Sequence, residues 1–197
     1  LGMTFKAGMT PGGAGGSANA SVHSVNGDVT GEMKQYAVTM APIDGLTLSA
    51  SYYDFGEMGN KDGRQKQEGG SYAANYSIGQ VSIGYGETIH APAERMNTSA
   101  SAKTQHYEND AYSIGFAVND NLSISYTEEN SEKKNKAKAA AGNTATRTDV
   151  EMEITTIDLS YTMGGATLGI SNSETSNDSY TSGDDTTETI VAISLAF

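Results

Sequence analysis

The sequence predicts an all-β protein, a transmembrane antiparallel up-and-down β-barrel, on three observations. Apolar and polar residues alternate one by one over most of the chain. The connections between the alternating runs are short and long by turns, and aromatic residues gather near both ends of the runs on their apolar side. Together these describe strands with one apolar and one wet face, sorted turns, and two aromatic girdles.

The composition agrees with thin structure. Of 197 residues only 37% are hydrophobic, with 23 Gly, 11 Tyr and 3 Pro. Aliphatic residues come singly between Ser, Thr, Gly or Ala, whereas a soluble core of this length calls for runs of Leu, Ile and Val. No stretch approaches the roughly 18 apolar residues of a transmembrane helix, but spanning strands need only about 9 to 11 alternating residues. The chain has no Cys, so there is no disulfide framework, thiolate metal site or cysteine nucleophile. A net charge of -12 excludes sequence-independent nucleic-acid binding, which needs a basic surface to displace counterions.

Along the chain, Leu1, Met3, Phe5, Ala7 and Met9 oppose Gly2, Thr4, Lys6 and Gly8. Residues 17 to 26 are read as a further strand of poor pattern. Tyr36, Val38 and Met40 then oppose Ala37, Thr39 and Ala41, and Leu46, Leu48, Ala50 and Tyr52 oppose Thr47, Ser49 and Ser51. The same alternation carries Tyr72, Ala74, Tyr76 and Ile78, then Val81, Ile83 and Tyr85, then Tyr112, Ile114, Phe116 and Val118. It continues with Leu122, Ile124 and Tyr126, with Ile157, Leu159, Tyr161 and Met163, and with Leu168 and Ile170. In the last run Thr189, Val191, Ile193, Leu195 and Phe197 share one face, and Glu188, Ile190, Ala192, Ser194 and Ala196 the other. The count is about eleven strands.

Short connections are read at 41–45, 78–80, 119–121 and 163–165, where Asn, Asp and Gly suit the positive φ of tight hairpins. Long ones cover roughly residues 57 to 70, 91 to 107, 130 to 147 and 174 to 185. In a bacterial outer-membrane barrel the short turns are periplasmic and the long loops extracellular. Tyr76, Phe116, Tyr161 and Phe197 fall near the short-turn ends; Tyr36, Tyr52, Tyr72, Tyr85, Tyr112 and Tyr126 lie on the same parity toward the long loops.

The closing run ETIVAISLAF and the units GLTLSASY, GQVSIGYGE, DNLSISYTE and GGATLGISN resemble the Gram-negative general diffusion porins. That resemblance implies a 16-stranded homotrimeric barrel for passive diffusion of small hydrophilic solutes and ions. It also implies that Val191, Ile193, Leu195 and Phe197 act as the signal read by the barrel assembly machinery. With a periplasmic C-terminus, eleven strands start the chain outside the cell, whereas complete bacterial barrels have even strand numbers. The expectation is therefore the C-terminal portion of a longer chain, strands six to sixteen, lacking the constriction loop that this family carries between strands five and six. A strand missed or invented at 17–26, giving ten or twelve, is the competing count.

Parity places Lys6, Asp158 and Glu188 on the wet face as candidate pore-lining charges, with Tyr53 and Phe55 as candidates to narrow the upper lumen. The plainer reading is that these charges face water in a wide pore and that the aromatics belong to a loop base. His23, His90 and His106 lie at no metal-ligand spacing, and no Ser-His or Asp-His pairing for catalysis can be assembled from the sequence. Glu128-Glu129, Asp149-Glu151-Glu153 and Asp184-Asp185 are acidic groups in outer loops that suit weak Ca²⁺ or Mg²⁺ binding, although such charges more often solvate a loop. The basic run from Lys133 to Lys138 suits contact with lipopolysaccharide, with a solvated loop again the plainer reading. No cofactor or nucleic-acid partner is expected; outer-membrane lipid is. The rival from another class is a secreted β-solenoid or surface adhesin, which calls for a fixed repeat period that the variable strand spacing does not supply.

Overall fold

In a computed structural model, which describes residues 2–11, 32–56, 65–93, 103–136 and 149–195, the chain forms one ten-stranded antiparallel sheet. The strands are β1 (Gly2–Thr10), β2 (Met33–Ile43), β3 (Leu46–Phe55), β4 (Glu68–Ile78) and β5 (Val81–Ala91). They continue as β6 (Lys103–Asn119), β7 (Leu122–Lys136), β8 (Val150–Met163), β9 (Ala166–Ser176) and β10 (Thr186–Leu195). Each pairs with its neighbours in sequence, from β1 at one edge to β10 at the other.

The expected alternation becomes two distinct faces once the register is followed. One row of paired residues runs Ile43, Leu46, Tyr76, Ile83, Ile114, Tyr126 and Ile157. The row beside it, on the opposite face, runs Thr47, Asn75, Gly84, Ser113, Thr127, Thr156, Ser173 and Glu188. Of the large apolar side chains left exposed among the described residues, Ile190 alone lies on the polar face. Nothing in the sheet covers the apolar face, and Phe55 with Ala93 is the one apolar cluster buried among the described residues.

The connections sort as expected, and more sharply. Four hairpins are closed by two residues each, Asp44-Gly45, Gly79-Gln80, Asp120-Asn121 and Gly164-Gly165, all at one end of the sheet. Gly45, Gly79 and Gly164 supply positive φ there, while the Asn119 side-chain oxygen accepts from the backbone N–H of Asn121 and Leu122. The longer connections stand at the other end. The turn read at 41–45 contracts because Pro42 and Ile43 belong to β2, where the register slips between Met40 and Ile43. Proline, lacking an N–H, is tolerated at such a bulge.

Three expectations change. The described strands number ten rather than eleven; the strand expected at 17–26 lies outside the described residues. β1 pairs directly with β2 over nine positions, so it runs from the short-turn end toward the long connections, opposite to the direction the odd count required. The long connections are also shorter than expected, since β4 begins at Glu68, β5 reaches Ala91, β6 begins at Lys103, β7 reaches Lys136 and β9 reaches Ser176. Apolar alternation ends before the hydrogen-bond ladder does, and charged residues carry the strands on.

The aromatic boundaries run obliquely across the strands. Tyr52 lies level with Gly70, Tyr72 with Glu87, Tyr85 with Tyr112, and Tyr112 with Glu128. From Tyr52 to Tyr126 the boundary thus steps three times by two residues toward the short turns while crossing four strand spacings. At about 3.3 Å per residue and about 4.8 Å per spacing, the line lies roughly 45° from the hydrogen-bonding direction. The second boundary, Tyr76, Phe116 and Tyr161, slopes the same way, by two such steps over four spacings, or roughly 35°. A level ring around tilted strands traces such a slope, and barrel strands tilt by about 35–45°.

Gly45 combines a φ of 76° with a close approach to the Ser77 backbone, whose N–H donates to the Gly45 carbonyl at 2.9 Å. A Cβ there would collide with the Ser77 carbonyl oxygen, whereas at Gly79 it would meet open space. Gly79→Ala is expected to cost about 1–2 kcal/mol for its left-handed backbone alone, and Gly45→Ala more, as read by urea unfolding in lipid vesicles. Equal losses would show that the Ser77 carbonyl yields freely.

Candidate functional site

The polar face is the candidate site, and small side chains dominate it because period-2 alternation sends Ser, Thr, Gly and Ala there from every strand. Neighbouring strands tie these residues together: Ser51 Oγ lies 2.8 Å from Ser71 Oγ, Thr156 Oγ1 2.9 Å from Ser173 Oγ, and Thr162 Oγ1 3.0 Å from Thr167 Oγ1. Lys6 shares this face, level with Ala37, Ser51 and Ser71. Asp158 is paired with Ser171 and accepts from Ser125 Oγ at 3.5 Å; Glu188 is paired with Ser173. The register therefore puts the three expected charges on one face but keeps Lys6, on β1, far across the sheet from the two carboxylates on β8 and β10.

Tyr53 belongs to a larger arrangement. One row of the polar face runs Gln35, Tyr53, Gly69, His90, Tyr107, Lys133 and Val150 across six ladders. Gly69 is buried, and a Cβ on it would lie 2.8 Å from both the Tyr53 hydroxyl and the Ile89 carbonyl. The missing side chain lets the Tyr53 ring lie across β4 and share a 2.5 Å hydrogen bond with His90 Nδ1. His90 in turn lies nearly parallel to Tyr107, 13° between planes at 6.3 Å, and Tyr107 meets Tyr180 at 5.5 Å. Phe55 packs edge-on against Tyr53 at 6.1 Å.

His90 and Tyr107 in this row, and Tyr180 packed against it, carry no role in the sequence reading. For Tyr107 the signal was present: its odd number on β6 puts it on the polar parity, opposite Tyr112. For Tyr180 there was none, since it sits in a connection.

On the apolar face, polar partners begin where the tyrosines end. The Tyr52 hydroxyl donates to Glu68 at 2.8 Å and that of Tyr126 to Glu128 at 3.0 Å; Tyr72 and Tyr85 both donate to Glu87. Beyond them, Lys66 bridges Asp54 at 2.8 Å and Glu68 at 3.5 Å, and His106 and Lys134 surround Glu108 at 2.9 and 3.9 Å. The Asp54 hydrogen bond holds the Lys66 ammonium above its ordinary pKa. Tyr36 is level with Tyr52. Val191, Ile193 and Leu195 share the apolar face of β10, and Phe197 lies outside the described residues.

The acidic groups are arranged differently from loop clusters. Glu128 and Glu129 lie on β7 and point to opposite faces; Glu151 and Glu153 lie on β8. Asp149, just before β8, accepts from the Asn135 backbone at 3.0 Å, and Asp185 accepts from the Asn177 N–H at 3.1 Å. Among the described residues no group of three His, Cys, Asp or Glu gathers as a metal site. The basic run is divided as well: Lys133, Lys134 and Lys136 are on β7, Lys134 paired with Glu132, while 137–138 lie outside the described residues. His23 lies outside them too.

No protein-family model matches this chain, and no curated protein matches it. No helix among the described residues is long and apolar enough to cross a membrane.

The Tyr53–His90 bond and its clearance at Gly69 make a direct test. Tyr53→Phe is expected to cost about 0.5–1.5 kcal/mol, with coupling to His90→Ala of similar size in a double-mutant cycle. In a Gly69→Ala background that coupling should vanish, because the new Cβ displaces the Tyr53 ring. Coupling that persists there would mean the ring has another route to His90.

Proposed function

We infer that the protein is an outer-membrane porin: a water-filled β-barrel through which small hydrophilic solutes and ions diffuse passively. One observation carries the reading. Two tyrosine and phenylalanine boundaries on an uncovered apolar face slope together across the hydrogen-bonded rows, by an amount that fits strands tilted in a membrane. An adhesin or solenoid in water has no use for a level apolar band bounded at both heights.

On this reading the apolar face meets lipid, the boundary tyrosines reach the headgroups, the short turns and the C-terminus are periplasmic, and the long connections face outward toward lipopolysaccharide. The polar face is the pore wall and passes solutes without chemistry. Resemblance to the general diffusion porins supports a homotrimer, delivery by the barrel assembly machinery, and a wall completed to sixteen strands.

Planar-bilayer recording of the refolded protein tests the reading, with stable ohmic steps expected. A protein that stays monomeric in water without detergent and gives no steps would sink it. The facing of the strands has its own check. Ile124→Arg, on the apolar face, is expected to cost about 2–4 kcal/mol of stability in lipid, while Ser123→Arg, one residue away on the polar face, leaves insertion intact. Equal effects of the two would contradict the assignment of faces.

The wall charges make a further prediction. Asp158→Asn combined with Glu188→Gln should lower the cation-to-anion permeability ratio in reversal-potential measurements, and Lys6→Gln should raise it. Ratios unmoved by either variant would mean that the selecting charges lie elsewhere.

A further inference from the structure

The connection between β9 and β10 does not stand away from the sheet. Its short 3-10 turn, Asp178–Tyr180, packs back on β8 and carries Tyr180 across to β6 and β7. There the Tyr180 hydroxyl lies 2.6 Å from Ser131 Oγ, its ring meets Tyr107, and the Lys133 ammonium sits 5.7 Å above its centroid. Ser131 is buried and also donates to Asn109. All these partners lie on the polar face.

The sequence is adapted to this crossing. On β8 the polar face should carry small hydrophilic residues, and below Thr156 it does; but Val150, Met152 and Ile154 break the pattern at the end nearest the turn. All three are half-buried, while Glu151 and Glu153 between them are exposed on the other face. The turn is also braced internally. Asn177 donates to the Glu151 carbonyl at 2.9 Å and accepts from the Gly183 N–H at 2.9 Å, Thr186 donates to Asp178 at 3.2 Å, and Asp178 N–H donates to the Asp184 carbonyl at 2.6 Å. Asn177, Ser179 and Tyr180 all take left-handed backbone, φ 54°, 54° and 59°, which side chains other than glycine rarely adopt. Three such residues in a braced turn indicate a conformation selected for where it puts Tyr180.

We propose that the β9–β10 connection, 177–185, is an inward-folded constriction at the outer mouth of the channel, and that Tyr180, seated on Tyr107, Ser131 and Lys133, determines its width. This rests on the porin reading and adds to it a specificity-determining residue. Together with Tyr53, His90 and Tyr107, Tyr180 extends a wall of rings on a face that elsewhere carries mostly Ser, Thr, Gly and Ala. The narrowing is thus confined to one level of the pore, where the turn's Asp178, Asp184 and Asp185 also concentrate negative charge.

The test compares the wild-type protein with Tyr180→Ala and Ser131→Ala in planar bilayers, and follows hydrogen exchange of 177–185 in detergent micelles. Tyr180→Ala is expected to raise single-channel conductance by about 1.5-fold or more, since bore and lining set conduction, to admit larger neutral sugars in liposome swelling, and to speed exchange at Asp178, Thr181 and Asp184. Ser131→Ala, which keeps the ring and removes the hydroxyl partner, should shift both readouts in the same direction by less. A wild type that conducts, with Tyr180→Ala unchanged in conductance and sugar limit, overturns the constriction and leaves the porin reading standing. A wild type that never conducts overturns both. Exchange at 177–185 that is already fast in the wild type, and unmoved by either variant, counts against a seated turn whatever the conductance.

Discussion

The fold depends on one constraint: a single-layer sheet has no second layer against which to bury its apolar face. Each Ile, Leu, Phe or Met left in water forgoes about 1.5–3 kcal/mol of burial. The described strands carry such residues from Met3 to Leu195 on one side. Against a net stability of about 5–15 kcal/mol for an ordinary domain, that deficit is large. On the porin reading, the face meets an apolar medium supplied from outside the chain. A bilayer supplies it, provided that every backbone N–H and C=O at that depth is paired. The antiparallel ladders from β1 to β10 meet that condition along most of the sheet, with register slips between Met40 and Ile43, Thr104 and His106, and Ala117 and Asn119. Among the described residues the outer edges of β1 and β10 have no neighbouring strand, and a sheet that spans a bilayer would have to satisfy them by closing. Because ten strands alternate in direction, β1 and β10 run oppositely, and an antiparallel closure is open to them directly or through any even number of further strands.

Most of this was legible in the residues because period-2 alternation is local: each strand announces its own two faces without reference to its neighbours. Glycine and asparagine at the tight turns announced the hairpin ends in the same local way, and each of the four turns closed on two residues. Three things were less legible, for different physical reasons. Strand ends differ from the expectation because apolar alternation stops while the ladder continues; the pairing of Glu108 with Glu132 and of Tyr107 with Lys133 is strand without apolar pattern. The direction of β1 was misjudged because it hung on a strand count that took in the weakly patterned 17–26. The seat of Tyr180 was illegible because Asn177, Ser179 and Tyr180, left-handed without glycine on either side of Asp178, carry no recognisable turn signal.

The tyrosine boundary connects sequence to tilt in a way that single strands cannot. Within any one strand a tyrosine followed two residues later by a carboxylate, as Tyr85 and Glu87 or Tyr126 and Glu128, is simply an amphipathic end with a hydroxyl donating to an acid. Across strands the register turns the same pairs into a line, and the line is oblique. Obliqueness arises because the hydrogen-bonding direction is fixed by the backbone while the level of the boundary is fixed by the surroundings; the two coincide only for untilted strands. The lower line through Tyr76, Phe116 and Tyr161 is set by different residues on alternate strands, yet it slopes in the same sense.

The polar face then explains why narrowing has to be added rather than built in. A wall of Ser, Thr, Gly and Ala is shallow, so the bore of such a sheet is governed by strand number and tilt alone. Large side chains on this face stand where a neighbour makes room, as Gly69 does for Tyr53, or where another segment packs on the strand, as the 177–185 connection does on β8 with its Val150, Met152 and Ile154, while Ile190 is exposed. Both devices occur at the long-connection end. Toward the short turns the wall keeps its small residues, with the carboxylate of Asp158 beside Ser125 among them. On the porin reading, a solute entering from the long-connection side would therefore meet shape first, at the aromatic row, and an open wall of hydroxyls and scattered charge afterwards.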